Sequence, residues 1–144
     1  MSNTSPLPAD SITRAQPESL RVSELSVSLT VKDLQKSLAW YRDVVGFTVD
    51  KEHMRDGKVA AVSLIAGMVR ILIGQDNGAK GWDRVKGVGM SLFITTQQSI
   101  DDIAQRIVAA GGTLETQPTD MPWGPRVFRL RDPDGFLLTI SSGR

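Results

Sequence analysis

The sequence predicts an α+β fold of two βαβββ modules that form a curved mixed sheet around a cleft. Three observations predict it. Strand and helix patterns occur twice in the same order, the two halves match at a fixed offset, and a polar, glycine-rich stretch separates them. Val27-x-Leu29-x-Val31 falls on Met90-x-Leu92-x-Ile94 at an offset of 63 positions. That spacing is too long for a solenoid period and suits two copies of a compact mixed unit.

Regularity begins at Leu25. In LSVSLTV, Leu25, Val27, Leu29 and Val31 alternate with Ser26, Ser28 and Thr30, as in a strand with one buried face. Asp33 stands where a helix N-cap is needed, since its carboxylate can accept from the free N–H groups of the first turn. Leu34, Leu38, Tyr41 and Val45 then share one helical face, with Trp40 at its flank, and Gly46 ends the helix. FTVDKEH resumes the alternation, Arg55 to Lys58 form a turn, and VAAVSLIAG and VRILIG give two strands around Ala66-Gly67.

The second half repeats the order. GMSLFIT reads as a strand, Ser99 opens a capping box ahead of IDDIAQRIVAA, and Gly111 and Gly112 close that helix. TLETQP, RVFRLR and FLLTIS follow as strands. A loop holding Trp123 joins the first two, and the turn Asp132-Pro133-Asp134-Gly135 joins the last two. Residues 22–142 are therefore expected as one domain, with module one at about 22–76, a linker at 77–87 and module two at about 88–142. Residues 1–21 are expected as a disordered N-terminal tail, because three prolines and few apolar groups cannot offset the entropy of ordering them.

Composition narrows the function. Lys and Arg number 17 against 16 for Asp and Glu, with no basic run, which argues against a nucleic-acid or anionic-membrane partner. The absence of cysteine excludes disulfides, thiolate metal sites and cysteine nucleophiles. No apolar run approaches the roughly 20 residues of a membrane span, and the first residues do not read as a secretory signal. A cytoplasmic protein is expected.

Strand parity assigns a cleft lining. If Leu25, Val27, Leu29 and Val31 face the first helix, Ser26, Ser28 and Thr30 face the cleft, joined by Leu72, Ser91, Phe93, Leu137 and Thr139. Hydroxyl and apolar groups in that mixture suit a mainly apolar ligand oriented by a few hydrogen bonds. No Asp, Glu or His on these strands faces the cleft in this register, so no general base is evident. Trp123 sits in a loop too short to hide an indole and is expected to stack on a ligand or pack at an interface, the alternative being a plug against the molecule's own sheet edge. Arg126 offers a fork of donors to a carboxylate or carbonyl, or pairs with Asp120 or Asp132 instead. Trp82, in a polar linker, is expected to cover something and is the second aromatic candidate.

These elements carry a likeness. VSLTVKDLQKSLAWYRDVVGFTV resembles the first module of the glyoxalase, bleomycin-resistance and extradiol-dioxygenase group, the vicinal oxygen chelate superfamily. RVFRLRDPDGFLLTI resembles its closing hairpin, and the likeness spans about residues 22 to 141. The resemblance implies the glyoxalase/bleomycin resistance-like fold. It also implies a divalent metal held by His and Glu or Gln, one from each of four strands. Carried onto this chain, those positions fall on Ser26, on or beside Leu72, on Gly89 and on Thr139. The single histidine, His53, lies in the second strand and cannot hold a metal by itself.

The resemblance therefore points to the metal-ligand-lacking, bleomycin-resistance-like branch, to which the loop Trp123-Gly124-Pro125-Arg126 is similar. It implies a homodimer without cofactor that sequesters an aromatic or amphipathic small molecule in a cleft between protomers. The alternative is a divergent glyoxalase-like lyase or isomerase, or a dioxygenase-related enzyme, with a metal that these residues do not predict. A third expectation is an interaction module whose cleft is filled by its own side chains.

Overall fold

In this computed structural model, which describes residues 19–143, regular structure begins at Val27. The order is β1 (Val27–Val31), α1 (Leu34–Ala39), a π-helical segment (Trp40–Val45), β2 (Thr48–Arg55), β3 (Lys58–Ala66) and β4 (Val69–Gln75). Then follow β5 (Ser91–Thr95), α2 (Ile100–Ala109), β6 (Thr116–Asp120), β7 (Arg126–Arg131) and β8 (Leu137–Ser141). Of the expected tail, residues 1–21, all but Ser19, Leu20 and Arg21 lie outside the described residues, and these three form no helix or strand. Leu25 and Ser26 precede β1, because the ladder with β4 starts only at Val27 and Ile71.

Local signals account for the helices. Asp33 accepts from the Lys36 N–H at 3.1 Å, and Ser99 accepts from the Asp102 N–H at 3.2 Å, so both helices start on the caps expected for them. The helix expected over 34–45 widens after Ala39 instead of continuing as α. The Gly46 and Phe47 N–H groups both donate to the Tyr41 carbonyl, at 3.0 and 2.8 Å, which stretches the last turn. Phe47 thereby meets Tyr41 edge-on with ring centroids 5.8 Å apart, and both are buried.

The strands form two four-stranded sheets, ordered β1-β4-β3-β2 and β5-β8-β7-β6. β1 with β4, and β5 with β8, run parallel because a helix crosses over inside each unit; the other pairs are antiparallel hairpins. One face of each sheet carries the core. Leu29, Val31, Val62, Leu64, Ile71 and Ile73 come from sheet one, and Phe128, Leu130, Leu138 and Ile140 from sheet two. They join Leu34, Leu38, Tyr41, Ile100, Ile103 and Ile107 of the helical elements in a single cluster, so the two modules share one interior through their helix-bearing faces. Where α2 ends, a Cβ on Gly112 would lie 2.6 Å from Ile107 and 2.7 Å from Val44, so only glycine lets the modules approach that closely.

Charges buried at this junction lock it. The Tyr41 hydroxyl of module one donates to Asp132 of module two at 2.8 Å. Lys86, its side chain 6% exposed, places its ammonium 3.0 Å from Asp76 and 3.1 Å from Asp134. Asp134 also accepts from the Lys32 N–H at 2.8 Å. The Gly78 N–H, then Lys86 and Arg84, hold the Asp76 carboxyl down at about 2, whereas burial pushes Asp132 up against its three donors.

Two outcomes follow from the junction. Lys86→Met leaves two facing carboxylates without their shared cation and is expected to lower unfolding free energy by about 3 kcal/mol, read by urea denaturation. Asp76 sits below its ordinary 3.8, so its contribution is complete above about pH 4 and is lost as pH falls toward about 2. An Asp76→Asn variant should be less stable at neutral pH and show a flatter acid limb over that window. A limb as steep as the parent's would remove Asp76 as its source.

Candidate functional site

The pleat sends every second side chain away from the core, and the register lines those side chains up in rows. On sheet one, one row reads His53, Ala61, Gly74, Thr30, and the next reads Lys51, Ser63, Leu72, Ser28. The rows are tied together by His53 Nε2 and Ser63 Oγ, 2.9 Å apart. On sheet two, one row reads Thr116, Arg129, Thr139, Phe93, and beside it stand Arg131, Leu137 and Ser91. There the Ser91 and Thr139 hydroxyls share a hydrogen bond of 2.7 Å. Thr139 is only 2% exposed, because it lies mid-sheet under its neighbours, whereas Phe93 at the edge strand is 60% exposed.

The residues expected to line one cleft thus fall into two sets. Ser28 and Leu72 stand together on sheet one, and Ser91, Phe93 and Thr139 on sheet two. Each strand bonds only within its own sheet, and no hydrogen bond or ion pair among the described residues joins the two open faces. Ser26 lies before β1, exposed, donating to Glu24 at 2.9 Å.

The loop residues have other surroundings. Arg126 shares its side of β7 with Phe128 and Leu130, the core side, and its guanidinium is held by Asp101 of α2 and Asp120, each at 3.0 Å. Trp123 projects from a turn closed by the Met121 N–H to the Pro125 carbonyl at 2.8 Å, and is 70% exposed. Trp82 is 50% exposed. It helps line a cleft of about 410 Å³ with Lys32, Lys36, Gln75 and Pro133. A second cleft, of about 800 Å³, opens at the Ser91 and Leu137 end of sheet two and is walled by Val85, Val88, Met90 and Arg131.

The sequence reading passed over three groups here: Ser63 as the partner of His53, Thr116 on β6, and Arg129. A signal for Arg129 was present. Phe128 and Leu130 are apolar core residues, so alternation in RVFRLR sends Arg129 and Arg131 to the opposite side.

A divalent metal does not fit the four strand positions. Ser26 is bound to Glu24, Leu72 is hydrocarbon, Gly89 has no side chain, and Thr139 is half of a neutral hydroxyl pair. Transition metals at such sites take imidazole, carboxylate or thiolate ligands. Among the described residues no three His, Asp or Glu side chains stand close enough to share an ion. No helix among them is long and apolar enough to cross a membrane.

Comparison with known proteins bears on the fold. A family model described as the Glyoxalase/Bleomycin resistance protein/Dioxygenase superfamily matches residues 25–140. No curated protein sequence matches the chain. Among solved structures, TioX from Micromonospora sp. ML1 is similar at 22% identity and a TM-score of 0.67, over 83% of this chain and 98% of that one. A superfamily member from Sphaerobacter thermophilus DSM 20745 has 25% identity and a TM-score of 0.66, over 85% and 98%. TnmS3, an antibiotic binding protein from Streptomyces sp. CB03234, has 18% identity and a TM-score of 0.66, over 85% and 97%.

The position of Trp82 is open to test. A Cβ on Gly78, whose φ is +77°, would lie 2.4 Å from the indole. In a Trp40→Phe, Trp123→Phe background, Gly78→Ala is expected to push Trp82 into solvent and shift its emission to the red. An unchanged spectrum would contradict this packing.

Proposed function

Because the chain belongs to the Glyoxalase/Bleomycin resistance protein/Dioxygenase superfamily, we propose that it is a metal-independent binding protein of the bleomycin-resistance type. It sequesters an aromatic or amphipathic small molecule on its open sheet faces, in a cleft that a second copy of the chain completes. The observation that carries this reading is the content of the four strand positions. Ser26, Leu72, Gly89 and Thr139 supply no ligand set for a metal, yet the fold and its two open faces are retained.

Other features support it. Ser28, Ser91 and the Ser91–Thr139 pair offer hydroxyls, while Leu72, Phe93 and Leu137 offer apolar surface, the mixture that orients a mainly apolar guest. The exposed indoles of Trp123 and Trp82 leave planar surfaces for a ligand or for a second protomer. TnmS3, which shares the fold, is described as an antibiotic binding protein. In this reading Arg126 sets the position of the Trp123 loop through Asp101 and Asp120, and any contact it makes with a guest is made from the loop's side. Ser26 lies at the entrance of sheet one.

The test is a titration of the full chain with planar aromatic and glycopeptide antibiotics, following tryptophan emission, beside sedimentation of the free protein. Saturable quenching by at least one compound, on a dimer with no stoichiometric metal, is the expected result. Silence across a broad panel, with no protection of a sensitive host, removes the drug-binding claim. A stoichiometric transition metal held through chelation and dialysis favours the lyase, isomerase or dioxygenase alternative.

A further inference from the structure

Strand β7 carries three arginines, and two of them are neutralised. Arg126 is held by Asp101 and Asp120, and Arg131 reaches Glu115 at 2.6 Å and the Gly135 carbonyl at 2.9 Å. The third, Arg129, has a half-buried side chain whose guanidinium has no hydrogen bond or ion pair among the described residues. Only its backbone is engaged, its N–H donating to Thr116 at 3.0 Å. It stands mid-sheet on the open face, between Thr116 and Thr139, and the nearby Glu115 is already taken by Arg131. The stem is half-buried while the guanidinium stays within reach of solvent, and an anion with two oxygens in one plane matches its fork of donors.

Resting on the binding reading above, we infer that Arg129 is the anchor for an anionic group and that the ligands of this site are planar aromatic carboxylates. The register supplies the dimensions. Phe93 lies two strands from Arg129, across Thr139, so ring and cation are about 10 Å apart at the backbone. Side chains of that length close the gap to roughly one fused bicyclic ring, with a carboxylate on Arg129 and the ring over Thr139 against Phe93. The Ser91–Thr139 bond consumes one hydroxyl proton and leaves the other free to donate to a ring substituent. Arg131 is the poorer anchor, because Glu115 meets its charge at Nε and the Gly135 carbonyl takes Nη1.

The experiment uses a matched pair of probes, 2-naphthoate and 2-naphthamide, titrated calorimetrically into the full chain at neutral pH and low salt. The parent, Arg129→Gln, Arg129→Lys and the surface control Arg42→Gln are compared, each checked by circular dichroism and sedimentation. The expected result is a preference of roughly tenfold or more for naphthoate in the parent and the control, reduced in Arg129→Lys and absent in Arg129→Gln. Should Arg129→Gln fail to fold, the parent and Arg129→Lys still decide, because a fork-dependent contact weakens when only a point charge remains. Equal affinity for the two probes in the parent, or a preference that survives in Arg129→Gln, overturns the inference and leaves the binding reading standing. So does a loss of the dimer in Arg129→Gln with the preference intact, which would make Arg129 an interface residue. If neither probe binds but a planar antibiotic does, the inference alone falls. If nothing aromatic binds, both fall together.

Discussion

A single ammonium, that of Lys86, stands between carboxylates of the two modules and is largely withdrawn from water. Much of the architecture depends on that arrangement. Removing three charges from solvent is unfavourable unless each finds close partners, and here the Gly78 N–H, Arg84 and the Lys32 N–H complete the set. The Tyr41 hydroxyl on Asp132 adds a second cross-module tie within the apolar cluster. The junction is therefore specific in geometry as well as apolar, and it sets how one module is turned against the other. Since the helix-bearing faces are used up there, the opposite face of each sheet takes no part in the shared core.

What lies on those opposite faces decides the chemistry available. Of the four positions that the resemblance assigns to metal ligands, Ser26 and Thr139 carry hydroxyls, Leu72 is hydrocarbon and Gly89 has no side chain, and the Ser91–Thr139 pair is satisfied internally without an ion. Charge enters through cations: Lys51 on one face, Arg129 and Arg131 on the other. Arg131 is neutralised and Arg129 is not. Placement alone separates two residues of the same type on one strand.

Much of this was legible in the residues. The pleat has a period of two, so LSVSLTV and GMSLFIT disclosed which side chains leave the core, and Asp33 and Ser99 announced their helices. The same rule applied to RVFRLR separates Arg126, beside Phe128 and Leu130, from Arg129. The widening of the first helix was not legible, because an apolar stripe at helical spacing is nearly the same for α and π turns over so short a stretch. Nor was the Lys86 junction, which joins Asp76 and Asp134 across 58 positions of chain through tertiary geometry alone. Parity also states which face a residue occupies and is silent about what opposes that face. That is why residues expected around one cleft stand on two sheets.

The repeat itself has an effect on any guest held between such faces. By register, Thr30, Gly74 and Ala61 on sheet one occupy the places that Phe93, Thr139 and Arg129 hold on sheet two. One wall is a low shelf of small side chains, and the other carries a ring at one end and a cation further in. Two walls of the same backbone are thus unlike in relief and in charge. A guest bound between two such faces, as proposed above, would have a top and a bottom as well as a head and a tail. The repeat of the backbone is broken by side chains alone, so such a guest would be held in one orientation out of the several its outline would allow.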